Sequence, residues 1–234
     1  MRTKFTNLLV LCLFSFVLVG ATANAATIEI NNITGIWEND VPDSAVTGEG
    51  TSEIRWGNPV YYDKKSGYDF DAESTPFSVD CDQAFELGEF THHNYPITGT
   101  ALDTVDLKTT VDLTIDGVAV SGLNFTYNFD HTETPNSSDP IASRDIVVIE
   151  NNSMMSDVFT INDVEYTIYL SGFLIGGELV DTFYTWEKCK NTAKLFAMIT
   201  TPGCVIPEPS TYLLLGSMLI CAVALKRRKI RKAA

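Results

Sequence analysis

The chain has 234 residues, of which 45% are hydrophobic and 20% charged, and its formal net charge is −14. Two of the 16 basic residues lie in the first four positions and six in the last nine, so the stretch from Thr27 to Leu225 holds 8 basic and all 30 acidic residues, a net charge of −22. This strongly negative charge argues against a nucleic-acid partner, because phosphate binding depends on clustered lysine and arginine.

The first 25 residues have the three parts of a secretory signal peptide. Arg2 and Lys4 precede an apolar run over residues 8–19, and Ala23-Asn24-Ala25 supplies a small-residue cleavage site. The apolar run is short for a permanent bilayer anchor. We expect cleavage after Ala25 and export to an oxidising compartment.

The body, residues 26–204, has the length of one domain and the sequence pattern of β-strands. Residues 105–115 and 118–129 alternate apolar and polar side chains around Asp116-Gly117, which predicts a hairpin, and Ser121-Gly122 predicts a bulge in its second strand. A second hairpin is predicted at Asn162-Asp163. No segment of the body has helical periodicity. We therefore predict an all-β fold, an antiparallel β-sandwich with one core.

Shorter apolar runs predict further strands. They cover residues 27–33, 36–38, 51–56, 84–91, 145–149 and 181–187. Residues 31–53 and 133–143 are interpreted as loops.

All three histidines lie in two short polar stretches of the body. His92 and Asn94 would share one face of a strand, and His131 lies two residues before Glu133. One interpretation is a metal or acid/base site built from His92, His131 and Glu133, since imidazole with carboxylate suits zinc and related ions. We favour the alternative that His92 and Asn94 hold a loop by hydrogen bonds beside a strand end, because no fixed ligand spacing is present.

Acidic residues offer a second candidate site. Asp69 and Asp71 could supply oxygen ligands to calcium, but neither lies in a known calcium loop, and alternate carboxylates are equally expected on a solvated strand face. We therefore predict no metal and no cofactor. The common motifs of serine hydrolases, zinc proteases and nucleotide-binding proteins are missing, so we predict no catalytic residues.

Three cysteines remain in the body when Cys12 in the leader and Cys221 in the tail are set aside. A disulfide between Cys189 and Cys204 would close a loop of about 16 residues and contribute about 3 kcal/mol. Cys81 would then be unpaired, or would itself pair with one of the other two. Three cysteines leave the connectivity open.

The C-terminal residues 205–232 have three parts of their own. Pro207-Glu208-Pro209 cannot continue a helix, residues 211–225 are apolar, and six cations fall within residues 226–232. The apolar run predicts a transmembrane helix of about 22 Å, shorter than a hydrocarbon layer of about 30 Å. Its cations should stay in the cytoplasm, which places the acidic body outside.

This tail resembles the PEP-CTERM sorting signal of Gram-negative bacteria. The resemblance implies recognition by an exosortase, a membrane cysteine transpeptidase that cleaves near the motif and passes the protein to the cell surface. Pro207, Glu208 and Pro209 would then be residues acted upon. Many members of that family occur in species that make exopolysaccharide or a biofilm matrix.

The body resembles the THxN, or choice-of-anchor K, domain of bacterial surface proteins. Thr91, His92 and Asn94 match the THxN motif, with His93 at its variable position. The similarity extends to WGNP at residues 56–59, SGYDF at 66–70, LGEFTHHNYPI at 87–97, HTETPN at 131–136 and DIV at 145–147. It implies a surface domain carried by differing anchors, and it implies no established activity or ligand.

These features together lead us to expect a non-enzymatic surface protein. The precursor would be anchored in the inner membrane with its body in the periplasm, and an exosortase would process it for the cell surface or an exopolysaccharide matrix, where it would serve adhesion. The alternative is a secreted carbohydrate-active or metal-dependent hydrolase that uses His92, His131 and Glu133. A purely structural spacer is a third reading.

Overall fold

The computed structural model describes residues 26–42, 46–60, 63–150 and 158–201. The expected signal peptide, Cys204, the sorting motif and the predicted transmembrane helix lie outside these ranges. Every regular element within these ranges is a β-strand, and they contain no helix. The prediction of an all-β fold is therefore confirmed. The same ranges contain no helix of the length and apolarity that a membrane span requires.

Sixteen strands are formed by the described residues, and they are numbered here in chain order. They are β1 (Ile28–Val41), β2 (Val46–Thr47), β3 (Glu53–Trp56), β4 (Asn58–Pro59), β5 (Ser66–Ala72), β6 (Phe77–Val79), β7 (Ala84–Asn94), β8 (Ile97–Thr98), β9 (Thr104–Ile115), β10 (Val118–Thr132), β11 (Asp145–Ile149), β12 (Val158–Ile161), β13 (Val164–Ile175), β14 (Glu178–Val180), β15 (Thr182–Thr185) and β16 (Cys189–Thr200).

The strands form two large antiparallel sheets. The first sheet has the order β15-β11-β10-β9-β1-β6. The second has the order β12-β13-β16-β7-β5-β3-β2, with β14 pairing to β13 beside that path. A small ladder joins β4 to β8. The first and second sheets are therefore each assembled from strands that are distant in sequence.

The predicted hairpin between β9 and β10 is present. Asp116 and Gly117 both have positive φ, 50° and 82°, as a two-residue turn with the twist of a hairpin requires. The predicted bulge is present too, because the pairing with β9 shifts register between Val120 and Leu123 and Gly122 has a φ of 73°. Local sequence alone is enough to specify both features.

The second predicted hairpin joins β12 to β13. Asn162 and Asp163 have φ values of 50° and 63°, which are tolerated because their short polar side chains favour the left-handed region. Ile161 and Val164 close the turn as a pair.

The prediction of a loop over residues 31–53 is wrong for its first part. Residues 27–33 and 36–38 were expected to form separate strands, but they belong to the single strand β1, which pairs with β9 from Ile28 to Val41. A register shift between Ile30 and Asn32 brings Ile33 back to the buried side. The asparagines that resemble loop residues are exposed on this strand. The loop predicted at residues 133–143 is confirmed.

Two interior strands of the second sheet were not predicted: β5, which lies between β7 and β3, and β16. β16 lies between β13 and β7 in the second sheet, and it buries Ala193, Leu195, Ala197 and Ile199 at every second position. β7 also extends three residues beyond its predicted end, so the THxN motif lies within the strand and not after it.

The two sheets face each other across an aromatic core. Phe90 of the second sheet stacks on Phe129 of the first, with ring centroids 5.7 Å apart and planes 7° apart. Trp37 of β1 contacts Phe129 and Tyr68, each at a centroid distance of 5.5 Å. All four of these aromatic side chains are fully buried. The burial of their surface therefore supplies much of the driving force for packing the two sheets together.

The structure contradicts the predicted disulfide between Cys189 and Cys204. Cys189 has a free thiol, and its Sγ lies 3.2 Å from the carbonyl oxygen of Trp186. Cys81 is engaged in a disulfide, so of the two possibilities that the sequence left for it, unpaired or paired, the paired one holds. Cys189 begins β16 and so is fixed by the register with β7, where Asn94 is its pairing partner.

Substitution Leu107→Ala should destabilise the domain by about 3–5 kcal/mol, because Leu107 is fully buried in the middle of β9 and its loss leaves a cavity. Urea unfolding followed by tryptophan fluorescence measures this. Leu179→Ala is the matched control, since Leu179 is 41% exposed on β14 and its truncation should cost less than about 1 kcal/mol. Equal losses in the two variants would contradict the assignment of the core.

Candidate functional site

The THxN motif directs its side chains to two different environments. Because strand residues alternate, His92 and Asn94 point to the first sheet, while Thr91 and His93 make contacts within the second sheet. Thr91 Oγ1 lies 3.0 Å from Thr192 Oγ1 on β16. His93 Nε2 lies 2.5 Å from Asp69 Oδ2 on β5. The expectation that His92 and Asn94 share one face is therefore confirmed.

His92 and Asn94 meet a threonine from the other sheet. His92 Nδ1 lies 2.8 Å from Thr185 Oγ1, and Asn94 Nδ2 donates to the Thr185 carbonyl at 3.2 Å and to its hydroxyl at 3.3 Å. The Thr185 hydroxyl in turn donates to the Asp145 carbonyl at 3.3 Å. We name His92, Asn94, His131, Asp145 and Thr185 the buried polar cluster.

His131 joins this cluster from β10. Its Nδ1 lies 2.7 Å from the hydroxyl of Tyr68, and its Nε2 lies 3.4 Å from Glu133 Oε2. The rings of His131 and His92 are 5.2 Å apart and nearly perpendicular, and Trp56 stacks on His92 at 5.9 Å. The structure thus brings together His92, His131 and Glu133, the three residues that sequence analysis named as the alternative site.

Two carboxylates complete the site and were not predicted. Asp145 Oδ1 accepts hydrogen bonds from the backbone and hydroxyl of Thr134, at 2.8 and 3.3 Å. With its amide oriented to donate, Asn136 contacts both carboxylate oxygens of Glu187 at 2.9 and 3.0 Å. Glu133 and Glu187 are only half-buried, and we name this pair the carboxylate mouth.

The electrostatics of the site follow from its burial. Desolvation, with the negative charge of Glu133, raises the pKa of Asp145 from 3.8 to about 6. Desolvation, with Asp145 and Glu133, raises the pKa of Glu187 from 4.5 to about 7. Burial and the neighbouring His131 and His93 lower the pKa of His92 well below its usual 6.5, so its imidazole is neutral at neutral pH.

Among the described residues, two overlapping groups of side chains are close enough to bind a metal ion. One potential ligand atom from each of His92, His131 and Asp145 lies within 4.8 Å of the other two, and the same holds for Glu133, Asp145 and Glu187. Asp145 belongs to both groups. The first group is fully buried, whereas the second includes the carboxylate mouth.

The calcium candidates lie elsewhere and are otherwise engaged. Asp69 Oδ1 forms an ion pair with Arg55 at 2.6 Å, and Asp69 Oδ2 contacts His93. Asp71 is exposed on the same strand. Neither belongs to either of the metal-binding groups found among the described residues. Pro207, Glu208 and Pro209 lie outside these residues.

Every segment that carries the THxN resemblance contributes to this one site. Trp56 comes from WGNP, Tyr68 from SGYDF, His131 from HTETPN and Asp145 from DIV. Sequence reasoning singled out His131 but missed Asp145 and Tyr68 as site residues. One sequence pattern could have identified them. Each of these separate motifs has a polar or aromatic residue at a position that faces inward, and none of the motifs has another evident role. Thr185 and Glu187 belong to no quoted motif.

Substitution Thr185→Val should destabilise the protein by about 1–3 kcal/mol, because it removes the hydroxyl that His92 and Asn94 share and leaves buried polar atoms unpaired. Thermal unfolding measures this. Thr110→Val is the control, since its hydroxyl bonds to Asn124 at an exposed position and its loss should change stability by less than about 0.5 kcal/mol. A loss in Thr185→Val no larger than in the control would show that the shared hydroxyl does not join the sheets.

The raised pKa of Asp145 predicts a pH-dependent gain for Asp145→Asn in the metal-free protein. A carboxyl whose pKa is higher in the folded state contributes stability at low pH and loses it as the pH rises from about 4 to about 6. The asparagine variant has no such loss. Its stability relative to the parent should therefore rise by on the order of 2 kcal/mol over that window.

Denaturant unfolding in the presence of a chelator, at a series of pH values, tests the prediction for Asp145. Asp71→Asn is the matched control, because Asp71 is exposed on β5, and this variant should show no comparable gain. A parallel pH dependence for both variants would contradict the assignment of a desolvated carboxylate to Asp145.

Comparison with known proteins does not assign the chain to a family. No protein-family model matches it, and no curated protein sequence matches it. The function is therefore inferred from the arrangement of the site and from the motifs at the two ends of the chain.

Proposed function

We propose that this chain is an exported cell-surface protein: a β-sandwich that an exosortase sorts and processes, and that acts without catalysis in adhesion or in an exopolysaccharide matrix. The observation that carries the proposal is the burial of the motif residues. His92 and Asn94 are both 0% exposed and use their side chains to tie the second sheet to Thr185 in the first. Residues buried in this way serve a stable scaffold.

The position of the last strand fits the proposed sorting. β16 ends at Thr200, seven residues before Pro207, and seven extended residues span roughly 25 Å at most. An exosortase that acts at the Pro-Glu-Pro motif would therefore work within that distance of the folded body. In the proposed precursor the membrane helix at residues 211–225 holds the body close to the outer face of the inner membrane.

The charge of the body supports an exported role without nucleic acid. Residues between the two ends carry a net charge of −22, and this charge repels polyanions while keeping the protein soluble at a crowded surface. Neutral polysaccharide, or a polysaccharide bridged by cations, is the matrix partner that this charge permits.

A hydrolase is the second candidate function, and the convergence of His92, His131 and Glu133 favours it. Acid/base catalysis needs groups within hydrogen-bond reach of a substrate. The His131 side chain is 0% exposed and His92 is fully buried, whereas Glu133 retains 20% of its side-chain surface. A polysaccharide chain would reach the imidazoles only if the two sheets separated, which is why the non-catalytic proposal is preferred.

Replacement of Pro207, Glu208 and Pro209 by alanine in the full-length chain should block processing. In a bacterium that has an exosortase, the wild-type protein is expected to appear as a shortened form in the surface or matrix fraction. The triple variant should stay in the inner-membrane fraction at precursor mass, and cells that make it should attach to a surface as poorly as cells lacking the protein. Immunoblots of the fractions and a static attachment assay measure these outcomes.

Pro140→Ala is the matched control for the sorting motif, because Pro140 lies in an exposed loop between β10 and β11. This variant should be processed like the wild type. Normal processing of the triple variant would refute the sorting proposal, and unchanged attachment by cells lacking the protein would refute the adhesion role. If the secreted protein released reducing sugar from polysaccharide and the His92→Gln variant did not, hydrolysis and not adhesion would be the function.

A further inference from the structure

The buried polar cluster contains electron-pair donors that lack hydrogen-bond partners. Within the described residues, His92 Nε2, Asn94 Oδ1 and Asp145 Oδ2 are buried and have no hydrogen-bond partner. His92, Asn94 and Asp145 are each 0% exposed. A buried polar atom left unpaired costs about 1–3 kcal/mol, so three in one place require an explanation.

The hydrogen-bond partners of Thr185 favour one tautomer of His92. The Thr185 hydroxyl has one proton, which it donates to the Asp145 carbonyl at 3.3 Å. With that proton engaged, the hydroxyl accepts the bond from His92 Nδ1, and this arrangement places the imidazole proton on Nδ1. His92 Nε2 is left as a bare lone pair facing away from Thr185. This is the tautomer in which a histidine binds a metal through Nε2 while its other nitrogen is held by a hydrogen bond.

His131 is arranged in a similar way. Its Nδ1 contacts the Tyr68 hydroxyl at 2.7 Å, and a hydroxyl oxygen can accept a hydrogen bond from an Nδ1–H group. Its Nε2 lies on the side of Glu133, at 3.4 Å from Oε2, which is long for a hydrogen bond. Tyr68 and Thr185 are thus positioned to orient the two imidazoles, one from each sheet.

Asp145 supplies a carboxylate oxygen that has no hydrogen-bond partner. Thr134 holds Oδ1 through two hydrogen bonds, and Oδ2 is the oxygen without a partner. Two imidazole nitrogens and one carboxylate oxygen, within 4.8 Å of one another, form a ligand set for one cation. Glu133, beside His131 Nε2, is placed to add a fourth ligand.

We propose that His92, His131 and Asp145 bind one divalent transition-metal ion of the zinc class. Imidazole ligands select such ions over calcium and magnesium, which prefer sites built from oxygen alone. Glu133 supplies the fourth ligand, and Glu187 at the carboxylate mouth attracts the ion from solvent. The ion satisfies lone pairs that the protein leaves unpaired, and this role is separate from the exosortase sorting proposed above.

Metal binding at this position would cross-link the two sheets. His92 lies on β7 of the second sheet, whereas His131 and Asp145 lie on β10 and β11 of the first. An ion bound only by the folded state stabilises that state by mass action. At roughly 100 times its dissociation constant, the ion should raise Tm by roughly 5–10 °C for a domain of this size.

The test uses the full-length chain, purified in detergent, stripped with a chelator and then titrated at neutral pH with Zn²⁺, Co²⁺ or Ca²⁺. We expect one equivalent of Zn²⁺ to bind, a visible absorption spectrum of low-symmetry Co²⁺, and a rise in Tm with either ion. Ca²⁺ should produce neither. The variants His92→Gln and Asp145→Asn should each weaken Zn²⁺ binding by roughly 100-fold or more and abolish the rise in Tm.

His93→Gln provides the matched control, because His93 is the adjacent histidine but contacts Asp69 on the other side of β7. It should bind Zn²⁺ like the parent. Asp145→Asn preserves the shape of the side chain and keeps an oxygen that can accept the hydrogen bonds from Thr134, so it removes the charged ligand while retaining the local hydrogen bonds. Failure of the wild type to bind stoichiometric Zn²⁺ or Co²⁺ would overturn the proposal and assign the unpaired atoms to ordered water. Equal loss of binding in His93→Gln, or unaltered binding in His92→Gln, would overturn it too.

Discussion

The arrangement of the site depends on the hydrogen bonds made by the buried hydroxyl of Thr185. It lies on the first sheet and is contacted by both His92 and Asn94 of the second. Aromatic packing holds the sheets together without specifying one alignment, since apolar contacts are non-directional. The hydrogen bonds at Thr185 are directional, and they fix which residues face each other at this end of the core. They also orient His92 so that its Nε2 is available.

Structural and ligand-binding interpretations of the THxN motif are therefore compatible. Nδ1 of His92 and the amide nitrogen of Asn94 hold the sheets, while Nε2 of the same histidine has no partner among the described residues. A motif that served stability alone would leave fewer buried lone pairs unsatisfied. The raised pKa values of Asp145 and Glu187 have the same origin, which is desolvation together with the negative charge of neighbouring carboxylates.

In the proposed function, attachment through a C-terminal tail would give the second sheet a mechanical role. β16 lies in the interior of that sheet, paired on one side with β7, which carries the THxN motif, and on the other with β13. Any load on a C-terminal anchor would reach the domain through β16 and would be shared by both neighbours. A metal ion that joins β7 to the first sheet would extend this resistance to the whole domain.

The sequence by itself determined the all-β class, both hairpins and the inward face of His92 and Asn94, because these depend on turn chemistry and on the alternation of side chains over a few residues. Strand β16 was missed because its polar residues and its proximity to the tail resemble a linker, and its burial depends on pairing with β7, about 100 residues earlier. Tertiary structure alone brought Asp145, Thr185 and Glu187 to His92 and His131, because the packing of two sheets sets distances that no local pattern encodes.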